Sequence, residues 1–121
     1  MEASEIRQMK PLYFALLTAL LATGCTHTIY SWGHYEDLIY TSYSQPGKLP
    51  PEAQIEKLEA DYQKARANNK PVPPGFHAHL GNLYYQIGKK DQARQEFETE
   101  KTQFPESKVF MDHLIASLDK K

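Results

Sequence analysis

Seven residues, Leu80, Gly81, Tyr84, Gly88, Ala93, Phe97 and Pro105, stand at offsets that suit two helices folded back on each other. Gly81 has no side chain, so the two backbones can approach closely there, and Ala93 is the small residue that faces it. Tyr84 and Phe97 fill the space between the helices. Gly88 falls where a helix C-terminal cap belongs, and Pro105 ends the second helix because proline cannot continue one. This pattern commits about 74–107 to a helical hairpin whose open faces need neighbouring helices to cover them.

The flanking sequence supplies such helices. Trp32, Tyr35, Leu38, Ile39 and Tyr43 recur at spacings of three and four, which predicts an amphipathic helix over 32–44. Gln45-Pro46-Gly47-Lys48 breaks it. Pro50-Pro51 opens a second helix, with Ile55, Leu58, Tyr62 and Ala65 on one face through about Asn68. Lys70-Pro71-Val72-Pro73-Pro74-Gly75 is a stiff connector. A third helix over 76–86 turns Phe76, Leu80, Leu83, Tyr84 and Ile87 inward. Asp91 is expected to cap a fourth, with Ala93, Phe97, the stem of Lys101 and Phe104 in the core. Ser107 is expected to cap a fifth, with Phe110, Leu114 and Leu118 one turn apart. Five helices and no strand pattern predict an all-α fold.

The seven-residue pattern resembles the tetratricopeptide repeat, L-G-x₂-Y…G…A-x₃-F…P. His77 stands where that repeat usually has tryptophan, and Glu100 where it usually has a small residue. Residues 32–68 resemble a degenerate preceding unit, with Trp32 leading its first helix and Leu58-x₃-Tyr62-x₂-Ala65 in its second. The fifth helix then serves as a terminal cap. In such modules the first helix of each unit lines a concave groove. Carried over by position, the resemblance implies a partner-binding groove of Ala78, Asn82, Tyr85 and Gln86, with Trp32 as a further contact. Asn82 matches the asparagine of the carboxylate-clamp subclass, and Ala78 stands where that clamp has lysine. Tyr85 is the natural aromatic anchor; the alternative is that it packs against the connector 71–74.

The amino-terminal segment points to export. An apolar run, Pro11–Ala22, follows Lys10 and ends in Leu21-Ala22-Thr23-Gly24-Cys25. It is too short to span a bilayer, which needs about 20 apolar residues, and suits the apolar region of a signal peptide. The ending resembles the bacterial lipobox, in which the cysteine is alkylated by diacylglycerol and the chain is cut before it. That resemblance implies a signal peptide over 1–24, a lipidated tether over 25–31 and a helical domain over 32–121. Lipid on Cys25 anchors the chain to a membrane without spanning it. Thr26, in place of the aspartate that retains such proteins at the inner membrane, implies the outer membrane, facing the periplasm. Glu2 and Glu5 suit a signal peptide poorly, so the start is either Met1 or Met9. The tether reaches at most ~20 Å, which keeps the domain near the membrane. Cys25 is the only cysteine, so the chain has no internal disulfide.

Composition offers little chemistry. Fourteen basic and fifteen acidic residues leave a formal net charge of −1, without the basic excess that drives nucleic-acid binding. His77 and His79 are two apart on a helix and diverge by about 200°, so they cannot share a metal. The remaining histidines, His27, His34 and His113, lie in other segments, and no metal-ligand spacing, phosphate loop or nucleophile elbow occurs. Glu52, Glu56, Glu59 and Asp61, interleaved with Lys57, Lys64 and Arg66, are expected on a solvated helix face. Neither a catalytic residue nor a metal or cofactor is expected.

The chain also resembles a bacterial lipoprotein family catalogued as domain of unknown function 4810. The likeness rests on Tyr30-Ser31-Trp32-Gly33-His34-Tyr35-Glu36 with Leu38 and Tyr40, on Val72-Pro73-Pro74-Gly75, and on Phe104-Pro105-Glu106-Ser107 with Phe110-Met111. It covers about 20–117. It implies a small outer-membrane lipoprotein, often encoded beside a curli-secretion-channel-like protein, and assigns no activity. The expected function is a non-enzymatic interaction or assembly module that holds an envelope protein; the alternative is a binding module for peptidoglycan or a small envelope ligand.

Overall fold

All five segments that the apolar spacing marks as helical are helical in the computed structural model, which describes residues 28–120. They are α1 (Tyr35–Ser44), α2 (Pro51–Ala67), α3 (Phe76–Gln86), α4 (Lys90–Gln103) and α5 (Lys108–Leu118), with a 3₁₀ turn, Pro105–Ser107, before α5. No strand occurs among the described residues, and the all-α expectation holds. The signal peptide, Cys25 and His27 lie outside them.

Consecutive helices run antiparallel, as cross-helix contacts show. Asp61 of α2 meets His34 just before α1, while Gln54 near the start of α2 meets Ser42 near the end of α1. Tyr62 packs on His77, and the Tyr84 hydroxyl donates to Glu59. His77 meets Glu96, and Gly81 meets Phe97 and Ala93. Lys101 reaches Asp112, and Lys90 donates to the Leu118 carbonyl. Short connections leave no other course.

The α3–α4 hairpin is the tightest contact. A Cβ on Gly81 would lie 2.6 Å from Phe97 Cε1 and 3.1 Å from the Ala93 carbonyl oxygen. Around that approach Phe76, Leu80, Leu83 and Tyr84 of α3 pack with Ala93 and Phe97 of α4. Ile55, Leu58 and Ala65 of α2, Leu38 of α1, Val72 of the connector and Met111 and Leu118 of α5 complete one core. Two helices end in a Schellman arrangement. After α3, Lys89 N–H reaches the Tyr84 carbonyl and Gly88 N–H the Tyr85 carbonyl. After α2, Lys70 reaches Ala65 and Asn69 reaches Arg66, with Asn69 left-handed.

The helix starts are held from outside. No N-cap side chain bonds its own helix in α1 or α3. Glu100 of α4, almost wholly buried, accepts from the backbone N–H of Gly75 at 2.6 Å and of Ala78 at 3.3 Å. Asp61 of α2, also buried, accepts from the backbone N–H of His34 at 2.6 Å. Each carboxylate satisfies orphan donors and faces the positive end of the helix dipole. Glu100 is the residue that stands where the repeat pattern has a small one, and capping is its structural reason.

Several expectations are corrected. The first helix starts at Tyr35, not Trp32, because Gly33 turns the chain with φ +51° and the Asp61 carboxylate occupies the space of a Cβ there. Tyr43 is exposed, and Ser42 instead turns inward to Gln54. Asp91 does not cap the fourth helix, which starts one residue earlier, at Lys90. Ser107 precedes α5 but donates its hydroxyl to the Phe104 carbonyl, closing the 3₁₀ turn. That turn sets the rotation of α5, so Met111 enters the core and Phe110 is 60% exposed. Asp61 is not on a solvated face.

Gly81→Leu is expected to destabilise the domain by about 2–3 kcal/mol, since backbone as well as ring atoms block the new side chain; urea unfolding measures it. Glu100→Ala should cost about 2–3 kcal/mol by leaving the half-buried N–H groups of Gly75 and Ala78 without their acceptor, and Glu100→Gln less, because an acceptor remains. Equal losses in the two variants would overturn the capping role.

Candidate binding groove

A groove of about 410 Å³ opens between α1 and α3, floored by α2 and closed at one end by the loop between α1 and α2. α1 contributes Leu38, Ile39, Thr41, Ser42 and Tyr43, and α3 contributes His79, Asn82, Leu83 and Gln86. Gln45, Pro46, Gly47, Leu49, Pro50, Pro51 and Gln54 complete the lining. None of these residues is aspartate, glutamate, lysine or arginine. A wall of amides and hydroxyls over apolar side chains selects against ions and offers paired donors and acceptors.

Gln54 makes the groove a fixed shape. Its side-chain amide donates to the Leu49 carbonyl at 2.9 Å, and its carbonyl oxygen accepts from the Ser42 hydroxyl at 3.2 Å. One buried side chain therefore ties the loop to α1. Pro50 and Pro51 stiffen the return into α2, whose first N–H donors reach the Pro50 carbonyl from Ala53 and Gln54. Asn82 and Gln86 are exposed and one turn apart on α3, so their amides line up along the groove.

His79 is the polar group at the inner wall. Its ring lies edge-on to Tyr35, with centroids 6.1 Å apart. Nε2 is buried without a hydrogen-bond partner. Burial holds the imidazole below its ordinary pKa of 6.5, so the ring is neutral at neutral pH. The neighbouring His77 points the other way: Nδ1 lies 2.6 Å from Glu96 Oε2, and the ring packs on Tyr62 and Phe76. His34 Nδ1 lies 3.0 Å from Asp61, and His113 is exposed. Among the described residues no three histidine, cysteine, aspartate or glutamate side chains converge to hold a metal.

Of the residues assigned to the groove by position, Asn82 and Gln86 line it. Tyr85 is 48% exposed beside them but outside the lining, and Ala78 gives its N–H to Glu100. Trp32 lies at the opposite end of α1, stacked on Tyr35 with centroids 6.3 Å apart. Sequence reasoning missed Thr41, Ser42, Gln54 and His79. Gln54 carries one weak signal, a polar residue directly before Ile55 on a packed helix; the others carry none, because α1 and the 45–51 loop have no fixed spacing relative to α3.

The motif Tyr30–Glu36 acquires a physical account here. Trp32 stacks on Tyr35, Gly33 makes room for Asp61, and the Tyr35 hydroxyl sits over Gly75, where a Cβ would lie 2.6 Å away. Gly75 itself has φ +90°, so both conformation and space exclude a side chain there. Burial first, then the charge of Glu100, pushes the Tyr35 phenol up.

The His79 shift has a sign that unfolding can read. Below pH 6.5 the unfolded chain binds a proton that the folded ring resists, so stability is complete above that value and declines as pH falls through it. Urea unfolding at about pH 7.5 and about pH 5.5 should show a smaller loss on acidification in His79→Gln than in the parent.

No curated protein and no solved structure matches the chain. A family model described as a domain of unknown function, DUF4810, matches residues 29–114. That match takes in the Tyr30–Glu36 turn, all of the groove and most of α5, and on it the chain belongs to the DUF4810 family.

Proposed function

We propose that the chain is a non-enzymatic lipoprotein, held by lipid on Cys25 at the periplasmic face of the outer membrane. It serves there as an assembly module that grips an uncharged segment of another envelope protein. The observation that carries this reading is the uncharged, amide-lined groove between α1 and α3. Asn82 and Gln86 stand roughly 6 Å apart, close to the ~6.7 Å two-residue repeat of an extended strand. Alternate peptide groups of such a strand, which face the same side, can each meet one side-chain amide. Phosphate or carboxylate ligands would find no counter-charge in the lining.

A tetratricopeptide-like architecture supports the same reading. α1 with α2 and α3 with α4 form successive hairpins, and in each pair a carboxylate on the second helix holds the start of the first. The first helices of the two hairpins line the groove, as in repeat modules that bind extended peptides. The resemblance to lipoproteins encoded beside a curli-secretion-channel-like protein makes an envelope protein of that kind the natural partner. The same lining favours one other ligand, the uncharged glycan of peptidoglycan, because amides and a neutral imidazole also pair with sugar hydroxyls.

A photocrosslinker at Gln86 of the membrane-anchored chain should capture one envelope protein in cells, and Asn82→Arg should abolish the adduct by filling and charging the groove. The same adduct from a crosslinker at Lys57 would overturn the groove assignment. Asn82-dependent co-sedimentation with purified sacculi would instead establish the glycan reading. Cys25→Ser should leave a soluble chain or an uncleaved precursor; an unmodified Cys25 in membrane-bound wild-type protein, read by intact mass, would overturn the anchor.

A further inference from the structure

The end of the bundle opposite the groove carries a second surface. The chain joins the domain there: the Ser31 N–H donates to the Pro71 carbonyl at 2.8 Å, and Lys70 Nζ lies 3.4 Å from the Thr28 carbonyl. Beside this junction, Ile29 is 73% exposed and Trp32 38% exposed. A cleft of about 350 Å³ adjoins them, lined by Tyr30, Tyr62, Arg66, Lys70, Pro71, Val72, Gln103 and Phe104. Its charged lining residues are both cations. The Arg66 guanidinium lies over the Tyr62 ring, 5.9 Å from its centre. Glu36 and Asp37, in the first turn of α1, and Glu106 share this end of the bundle but lie outside the cleft lining.

We propose that this end is a bilayer-docking face: Ile29 and Trp32 enter the headgroup region, and Arg66 and Lys70 meet lipid phosphates. The inference rests on the lipid anchor at Cys25. Cys25 is three residues before Thr28, so the anchor can stand no more than ~10 Å from the face. At that distance the bilayer is the surface these side chains meet first. Tryptophan and tyrosine favour the membrane–water boundary, and long cationic side chains lay an apolar stem along it while the charge reaches the phosphates. An exposed isoleucine beside them finds an apolar environment that water does not offer. Docking by this end also orients the molecule. Most of the groove lining, the 41–54 stretch with Asn82, Leu83 and Gln86, lies toward the other end of α1 and α3, so docking by this end leaves it accessible to a partner.

Trp32 is the only tryptophan of the chain and reports on the contact directly. The lipidated protein, cleaved before Cys25, would be reconstituted into phosphatidylethanolamine–phosphatidylglycerol vesicles, with and without lipids brominated near the headgroup. Trp32 emission is expected to shift to the blue and to be quenched about twofold by the brominated lipid. The double variant Arg66→Glu, Lys70→Glu should lose most of the quenching while remaining vesicle-bound through Cys25. Intact mass of the same samples separates the two claims. An unmodified Cys25 overturns the anchor and the docking face with it. A lipidated, vesicle-bound chain whose Trp32 is unquenched overturns the docking face alone. Quenching unchanged in the double variant overturns the phosphate contacts.

Discussion

Two buried carboxylates hold the starts of alternate helices, and the arrangement of the other parts follows from them. Asp61 and Glu100 sit on the second helix of each hairpin and accept backbone N–H groups at the start of the first. An ionised carboxylate is costly to bury unless its oxygens are bonded. Here the bonds come from donors that α1 and α3 leave unsatisfied. Each carboxylate solves the other element's problem, and the solution works only when the two helices are in register. The interaction therefore specifies register as well as adding stability. The backbone must come close for it to form, which is why Gly33 lies against Asp61 and Gly75 sits beneath Tyr35.

With the helix starts pinned, the two ends of the bundle become different surfaces. The pinned end gathers the incoming chain, the proline connector, an aromatic cluster running from Tyr30 through Trp32 and Tyr35 to Phe76, and the cations Arg66 and Lys70. Toward the far end the 45–51 loop joins α1 to α2, and with α1 and α3 it lines the uncharged groove. Gln54 links the two regions of α2 to these tasks: it secures the loop, while Asp61, two turns further along the same helix, secures the start of α1.

The elements themselves were legible because their signals are local. Gly47 and the prolines at 46, 50 and 51 mark the first break, and Gly75, Gly88 and Pro105 mark the others. The apolar spacing of α2, α3 and α4 matches the buried faces, down to Leu58, Leu80, Ala93 and Phe97. The close approach at Gly81 was legible in another way, through the resemblance of Leu80-Gly81, Tyr84, Ala93 and Phe97 to a repeat in which that glycine faces a small residue. The errors fall at caps and at the terminal helices. Asp91 and Ser107 carry the right residue types for caps, but a cap depends on where the helix axis begins. α1 and α5 each pack on one side only, so their apolar residues exceed what the core can take, and Tyr43 and Phe110 remain outside.

Glu100 shows the same division most sharply. In the sequence it is a departure from a repeat pattern, placed where a small residue is usual; in the fold it is the cap of α3, through bonds spanning 25 and 22 residues. The sequence by itself determined the helices, their order and the hairpin at Gly81, since backbone propensity, apolar period and turn residues act over a few positions. It also placed Asn82 and Gln86 together, one turn apart on a single helix. Only the tertiary structure decided which carboxylates are caps, that the groove is free of charge, and that His79 stands neutral in its wall. Those properties come from side chains brought together across helices, and burial and hydrogen bonding exist only once the helices have packed.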